Sequence, residues 1–225
     1  MLKARLLRLH DKWERERDND FLSLLERDLK AKVIDLGCGK GDFTLRVREK
    51  TGCPVIYGAD IWDEGLIEAK KKDIETLKVD LSRKLDFESN EFDVVVSNQV
   101  LEHLFYPSQF IREVYRILKP KGYAVISTEN LSSWDNIFAL LLGYTPFSMQ
   151  FDEVKVGNPL SPRNKEELRD YPPHTRIFTF KGLTEISKSV GFKIESVGGQ
   201  GYIPFNLLAK IDPRHARFLI IKIRK

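Results

Sequence analysis

The run Val33-Ile34-Asp35-Leu36 is apolar and partly β-branched, and it leads straight into Gly37-Cys38-Gly39-Lys40-Gly41, with three glycines at alternate positions. No other junction in the chain restricts the fold as tightly. A strand of this composition belongs inside a sheet, and a turn lacking Cβ atoms lets backbone come close to a ligand. Asp60 closes the next strand-like run about twenty positions later, where a carboxylate suits the paired hydroxyls of a ribose. The turn also opens a helical stretch, which would bring backbone amides and the positive end of a helix dipole to an anionic group.

From residue 33 onward short β-branched runs alternate with helical stretches, the pattern of a parallel sheet built from right-handed βαβ units. The runs are Val33 to Leu36, Val55 to Ala59, Thr76 to Val79, Phe92 to Ser97 and Tyr123 to Ser127. Helices are predicted near Asp42 to Lys50, Asp63 to Lys72 and Ser108 to Leu118, the last with Phe110, Ile111, Val114, Ile117 and Leu118 on one face and a Lys119-Pro120-Lys121-Gly122 stop. A further helix is predicted over Phe180 to Val190, followed by strands at Phe192 to Val197 and Arg217 to Ile223.

Two segments break the alternation. Residues 1 to 32 read as an N-terminal helical segment, with leucines, Trp13 and Phe21 spaced three and four apart among charges and Asp18-Asn19-Asp20 dividing it. Its predicted role is to cover the sheet or the pocket. The second is an insert at about 129–175, rich in aromatics and proline, where short helices forming a lid or acceptor pocket are expected. Residues 33–225 otherwise read as one domain.

The 225 residues suffice for a substantial core without disulfides. Only Cys38 and Cys53 are present, which points to a reducing, cytoplasmic location, and Cys38 reads as a small residue fitting a tight turn rather than a nucleophile. The start of the chain carries Lys3, Arg5, Arg8, Asp11 and Lys12 without a signal-like apolar run, and no transmembrane segment is expected, since Ile137 to Leu142 and Phe218 to Ile221 are too short. A formal charge of +4, from 37 basic and 33 acidic residues, does not by itself imply nucleic acid.

Residues 33 to 128 and 174 to 198 resemble the class I S-adenosylmethionine-dependent methyltransferases. The glycine turn is spaced Gly-x-Gly-x-Gly, one residue shorter than the Gly-x-Gly-x-x-Gly of dinucleotide dehydrogenases. Gly58-Ala59-Asp60-Ile61, Lys78-Val79-Asp80-Leu81, the strand Phe92 to Asn98 leading into Gln99-Val100-Leu101-Glu102-His103-Leu104, and Ile117 to Tyr123 follow in the family's order. The resemblance implies a Rossmann-like α/β three-layer sandwich with a seven-stranded sheet of order 3-2-1-4-5-7-6 and strand 7 antiparallel. It implies S-adenosylmethionine as cofactor, held by Asp35, Gly37, Cys38, Gly39 and Gly41 at the methionine end, by Asp60 and Ile61 at the ribose, by Asp80 and Leu81 at the adenine, and by Asn98 and Val100 beyond β-strand four.

Methyl transfer from a sulfonium is a displacement that carries its own activation, so the protein must mainly align the acceptor and take its proton. Candidate catalytic residues are His174, His103 and Glu102, with Tyr171 and Tyr144 behind them; His10 and His215 lie outside the matched core. If a helix begins here, Gln99, Glu102 and His103 share one face. Certain O-methyltransferases of the ubiquinone pathway and of small-RNA 3′ ends bind a divalent metal at a Glu-x-x-Glu-His segment. The neutral Gln99 stands in place of a charged ligand, and no metal is expected. His174-Thr175-Arg176-Ile177-Phe178-Thr179 also resembles the segment before the sixth strand in methyltransferases that tailor sugars, lipids and secondary metabolites, where the histidine borders the acceptor.

The expected reaction is methyl transfer to a hydroxyl or other nucleophile of a small-molecule, lipid or sugar acceptor, which the aromatic insert of Trp134, Phe138, Tyr144, Phe147 and Phe151 would receive by stacking. Two rivals are an RNA methyltransferase, needing the basic clusters at 3–17 and 214–225 to form one face, and a non-catalytic cofactor-binding regulatory or partner protein. Asn98-Gln99-Val100 lacks the Pro-Pro-aromatic run of adenine-amino methylation, and neither cysteine is placed for pyrimidine C5 chemistry.

Overall fold

A computed structural model describes residues 18–149, 157–159, 173–201, 209 and 211–225. Its centre is one seven-stranded sheet in the order β3-β2-β1-β4-β5-β7-β6. The strands are β1 (Val33–Leu36), β2 (Ile56–Asp60), β3 (Glu75–Lys78), β4 (Phe92–Asn98), β5 (Leu118–Glu129), β6 (Lys193–Gln200) and β7 (Phe218–Arg224). β1 to β5 pair in parallel, whereas β7 runs antiparallel to both β5 and β6, as the resemblance implied.

Alternation along each strand divides the core into two layers. Val33, Val94, Val96 and Val125 face one side, where they meet Val47 of α1 (Asp42–Thr51), Ala69 of α2 (Asp63–Lys70) and Phe21, Leu22 and Leu25 of the N-terminal segment. Ile34, Leu36, Val95 and Ile126 face the other side, against Phe110, Ile111, Val114 and Ile117 of α3 (Pro107–Ile117) and Leu183 of α5 (Phe180–Val190). Each fully buried side chain of this size contributes roughly 1.5–3 kcal/mol, so the two layers together hold the sheet. The crossovers bring β1, β2 and β4 to a common carboxyl edge, the place where open α/β sheets bind ligands.

Two expectations need correction. Asp18, Asn19 and Asp20 are themselves helical, the helix ends at residue 22, and 23–32 are turn and coil where helix was expected. That stretch has other backbone partners, Asp28 N–H donating to the Thr51 carbonyl and Lys32 N–H to Asp93 Oδ2, and the apolar Leu25 is buried without a helix. β5 begins at Leu118, five residues before the expected Tyr123, because Leu118 already pairs with Phe92 ahead of a register shift. The insert contains one helix among the described residues, α4 (Trp134–Leu141). Its orientation reverses the usual pattern: Asn136 and Ala139 are buried, while Trp134, Phe138, Leu140 and Leu141 are exposed.

Cys38 and Cys53 are both free and buried. Among the described residues no helix is long and apolar enough to cross a membrane. Residues 1–17, with His10 and the basic cluster at 3–17, and also Phe151 and Tyr171, lie outside the described residues.

Candidate cofactor and acceptor site

The glycine turn is built against β2. Gly37 and Cys38 N–H both donate to the Ala59 carbonyl, at 2.7 and 3.2 Å, Gly41 N–H donates to the Cys38 carbonyl at 2.9 Å, and Gly39 N–H donates to Asp60 Oδ2 at 2.8 Å. These four amides are engaged within the protein, so they are not the free donors that the sequence suggested for an anionic ligand group. The turn presents open space instead. Gly37 sits at φ +91, and a Cβ there would lie 2.2 Å from Val100 Cγ2, whereas a Cβ on Gly39 would meet no described residue within 4 Å.

Beneath the turn Asp35 is buried, with Oδ2 accepting from Thr44 Oγ1 at 2.6 Å. Its other oxygen, Oδ1, is buried without a hydrogen-bond partner among the described residues. Burial pushes the Asp35 carboxyl up to about 7; the Thr44 bond opposes the shift and the Asp60 charge adds to it. An orphaned, desolvated carboxylate oxygen beside an open glycine is the environment that a ligand ammonium group relieves. Cys38 does no chemistry here, because burial and the charges of Asp35 and Asp60 push its thiol far up.

Asp60 Oδ1 accepts from Trp62 N–H at 3.0 Å, so each oxygen takes one backbone bond and keeps lone pairs for further donors. Val79 N–H donates to the Asp60 carbonyl at 2.8 Å, which ties the chain leading to Asp80 to the end of β2. Asp80 caps its own turn through Ser82 N–H and pairs with Arg83 at 2.9 Å. Ile61 is 60% exposed beyond Asp60, an apolar surface that a purine ring would cover, whereas Leu81 is buried in the core.

At the end of β4, Asn98 Oδ1 accepts from Ser127 Oγ at 2.5 Å, and Asn98 Nδ2 donates to Asp18 Oδ1 at 3.4 Å. Asp18, which also pairs with Arg46, brings the N-terminal segment to the site; from sequence it was read only as part of a helix break. Gln99 adopts φ +57, and its backbone N–H and Nε2 both reach Ser127 Oγ at 3.1 Å. No helix starts there. A three-residue 3-10 helix, Leu101–His103, follows instead, and Gln99 does not share a face with Glu102 and His103.

The structure brings the three candidate catalytic residues together. Glu102 is buried, with its carboxylate accepting from Thr128 Oγ1 at 2.8 Å and its backbone carbonyl accepting from Thr175 and Arg176 N–H. His103 Nδ1 lies 3.4 Å from the Pro173 carbonyl, and His174 Nδ1 lies 2.6 Å from the Ser148 carbonyl. The two rings stand 5.0 Å apart at 62°. A carbonyl only accepts, so in these contacts each Nδ1 carries a hydrogen and turns it away from the acceptor side. One ligand atom from each of Glu102, His103 and His174 lies within 4.8 Å of the others, a set that can hold a metal ion. Tyr144 is half-buried in the insert, and His215 is paired with Asp212 at 2.6 Å against the Trp134 ring, 4.6 Å away.

Residues 34–126 match the model of a methyltransferase domain. The chain is 28% identical, over 92% of its length and 69% of the relative's, to a probable S-adenosylmethionine-dependent methyltransferase of Mycolicibacterium smegmatis. It is 24% identical, over 81% of its length and 73% of the relative's, to a ubiquinone biosynthesis O-methyltransferase of Pseudomonas fluorescens. It is also 27% identical to a malonyl-[acyl-carrier protein] O-methyltransferase of Calditerrivibrio nitroreducens, of which it spans 54%. A solved S-adenosylmethionine-dependent methyltransferase from Mesorhizobium loti superposes with a TM-score of 0.66 at 20% identity, covering 92% of this chain and 96% of that one. The fold, the glycine turn over Asp35 and the acids at the strand ends thus define a Rossmann-like adenosyl-binding enzyme. The methyltransferase-domain match over residues 34–126, the relatives and the fold together support a class I S-adenosylmethionine-dependent methyltransferase, with S-adenosylmethionine as its cofactor.

Proposed function

We propose that this enzyme methylates a hydroxyl of a small-molecule, lipid or sugar acceptor, with His174 taking the hydroxyl proton and His103 and Glu102 shaping the acceptor site beside it. The observation that carries the reading is the convergence of Glu102, His103 and His174 immediately after Val100, the residue that packs on Gly37 of the cofactor turn. When bound, the cofactor supplies an electrophilic methyl group. Asp35 would hold its ammonium, Gly37, Cys38, Gly39 and Gly41 would line the methionine end by close backbone approach, Asp60 and Ile61 would meet the ribose and the base, and Asp80, Leu81, Asn98 and Val100 would complete the walls. His174 Nε2 then accepts a proton from an aligned hydroxyl. The exposed Trp134 and Phe138 offer an apolar approach for the rest of the acceptor.

The described basic cluster at the C-terminus does not favour RNA. Lys222 and Arg224 pair with Glu26 and Glu195, Arg214 pairs with Asp212, Arg217 is buried, and Lys225 Nζ donates to the Tyr115 and Leu118 carbonyls. Four of these five cations are thus paired with carboxylates within the fold, which leaves little of the cluster's charge for phosphates.

A second reading for the same cluster is a divalent cation on Glu102, His103 and His174. The backbone carbonyl behind each Nδ1 favours it, since such carbonyls orient ligating histidines. Incubation with labelled cofactor and a panel of hydroxylated amphiphiles, sugars, quinols and RNA tests the first reading. Methyl transfer to a hydroxylated small molecule supports it, and transfer only to RNA refutes it. Calorimetric titration with manganese or zinc separates the second.

A further inference from the structure

Resting on the role given to His174, we propose that Arg217 is a positioning residue that fixes, through Ser148, which ring nitrogen of His174 faces the acceptor. Arg217 lies just before β7 and is 6% exposed. Its guanidinium pairs with Glu129, the last residue of β5, at 3.2 Å and with Asp135 of α4 at 2.9 Å. It also donates to Ser148 Oγ at 3.2 Å.

Ser148 is the point where these contacts meet. It is wholly buried; its Oγ donates to Glu129 Oε2 at 2.9 Å and accepts from Asn136 Nδ2 at 2.7 Å, while its N–H donates to Asn136 Oδ1 at 3.2 Å. Side chain and amide hold Ser148 itself, and Met149 N–H, which shares a peptide plane with the Ser148 carbonyl, donates to the Pro146 carbonyl at 3.0 Å, so that carbonyl has a fixed direction. Its carbonyl takes the His174 Nδ1 hydrogen at 2.6 Å. Nδ1 is thereby committed to the insert, so that Nε2 is the nitrogen that would face the acceptor. The same network explains why α4 is turned apolar side out, since Asp135 and Asn136 must face Arg217 and Ser148.

Buried polar groups that merely held the insert in place would need no particular nitrogen of His174. The test therefore reads the tautomer directly, by long-range nitrogen–proton correlation spectra of the full chain labelled with 15N. The wild type is expected to show His174 protonated at Nδ1. Arg217→Met is expected to convert that pattern into a mixture of Nδ1–H and Nε2–H forms. Should R217M fail to fold, Ser148→Ala, which keeps the carbonyl but removes its Oγ anchor, is expected to do the same and decides the question. An Nε2–H tautomer in the wild type, or an unchanged Nδ1–H pattern in every folded variant, would overturn the proposal. Acceptor turnover is scored separately, so loss of the hydroxyl-methylation reading leaves a different record from loss of the tautomer control.

Discussion

The Gly39 amide donates to Asp60 Oδ2 at 2.8 Å, so the cofactor turn and the acid at the end of β2 form one unit. Asp60→Ala removes both a carboxylate for the ribose and a clasp on the turn. Its expected effect is a loss of roughly 1–3 kcal/mol in S-adenosylhomocysteine binding, the usual size for lost charge-assisted hydrogen bonds. Calorimetry at matched pH and salt measures it; unchanged affinity would refute the ribose assignment.

Asp35 gives the site a pH dependence with a definite sign. Its carboxyl rises in the folded protein from 3.8 to about 7, so the unliganded fold holds a proton that the unfolded chain releases. That contribution to stability is fully present below about pH 4 and is lost as pH rises towards 7. A ligand ammonium needs the ionised form, so cofactor affinity should increase about tenfold between pH 6 and pH 7.5. Titrations across that range check the slope, and Asp35→Asn should abolish it.

Gly37 tests the steric argument. The backbone there has φ +91, and a Cβ would stand 2.2 Å from Val100 Cγ2. Gly37→Ala should therefore destabilise the protein by roughly 2–5 kcal/mol through overpacking and left-handed backbone strain. Adding Val100→Ala should recover the overpacking part only, as thermal unfolding would show.

For His174, replacement by alanine should lower turnover roughly 10²–10⁴-fold once an acceptor is in hand, the range for loss of a general base. Cofactor affinity should stay unchanged, because His174 belongs to the acceptor side. A parallel fall in both quantities would place it elsewhere.

Most of the sheet was legible because a parallel strand buried on both faces announces itself as a short β-branched run, as Val33–Leu36 and Phe92–Asn98 do. The order and the antiparallel β7 followed from the family resemblance rather than from periodicity. Local pattern failed where tertiary contacts override it. Gln99 takes a left-handed backbone to meet Ser127, and the N-terminal helix yields at residue 22 to reach β1. Glu102, His103 and His174 were legible as residue types, but their convergence depends on the Thr175 and Arg176 amides reaching the Glu102 carbonyl, about seventy residues away in sequence. Ser148, Arg217 and Asn136 carried no signal at all, since an ordinary serine, arginine or asparagine reveals its partners only when the strands are assembled.

The most direct measurement is calorimetric titration of the full chain with S-adenosylhomocysteine, with a nicotinamide dinucleotide as control. Saturable binding of one equivalent, weakened by Asp60→Ala and absent for the dinucleotide, is the predicted result. Saturation by the dinucleotide, with no heat from S-adenosylhomocysteine, would contradict the account at its root.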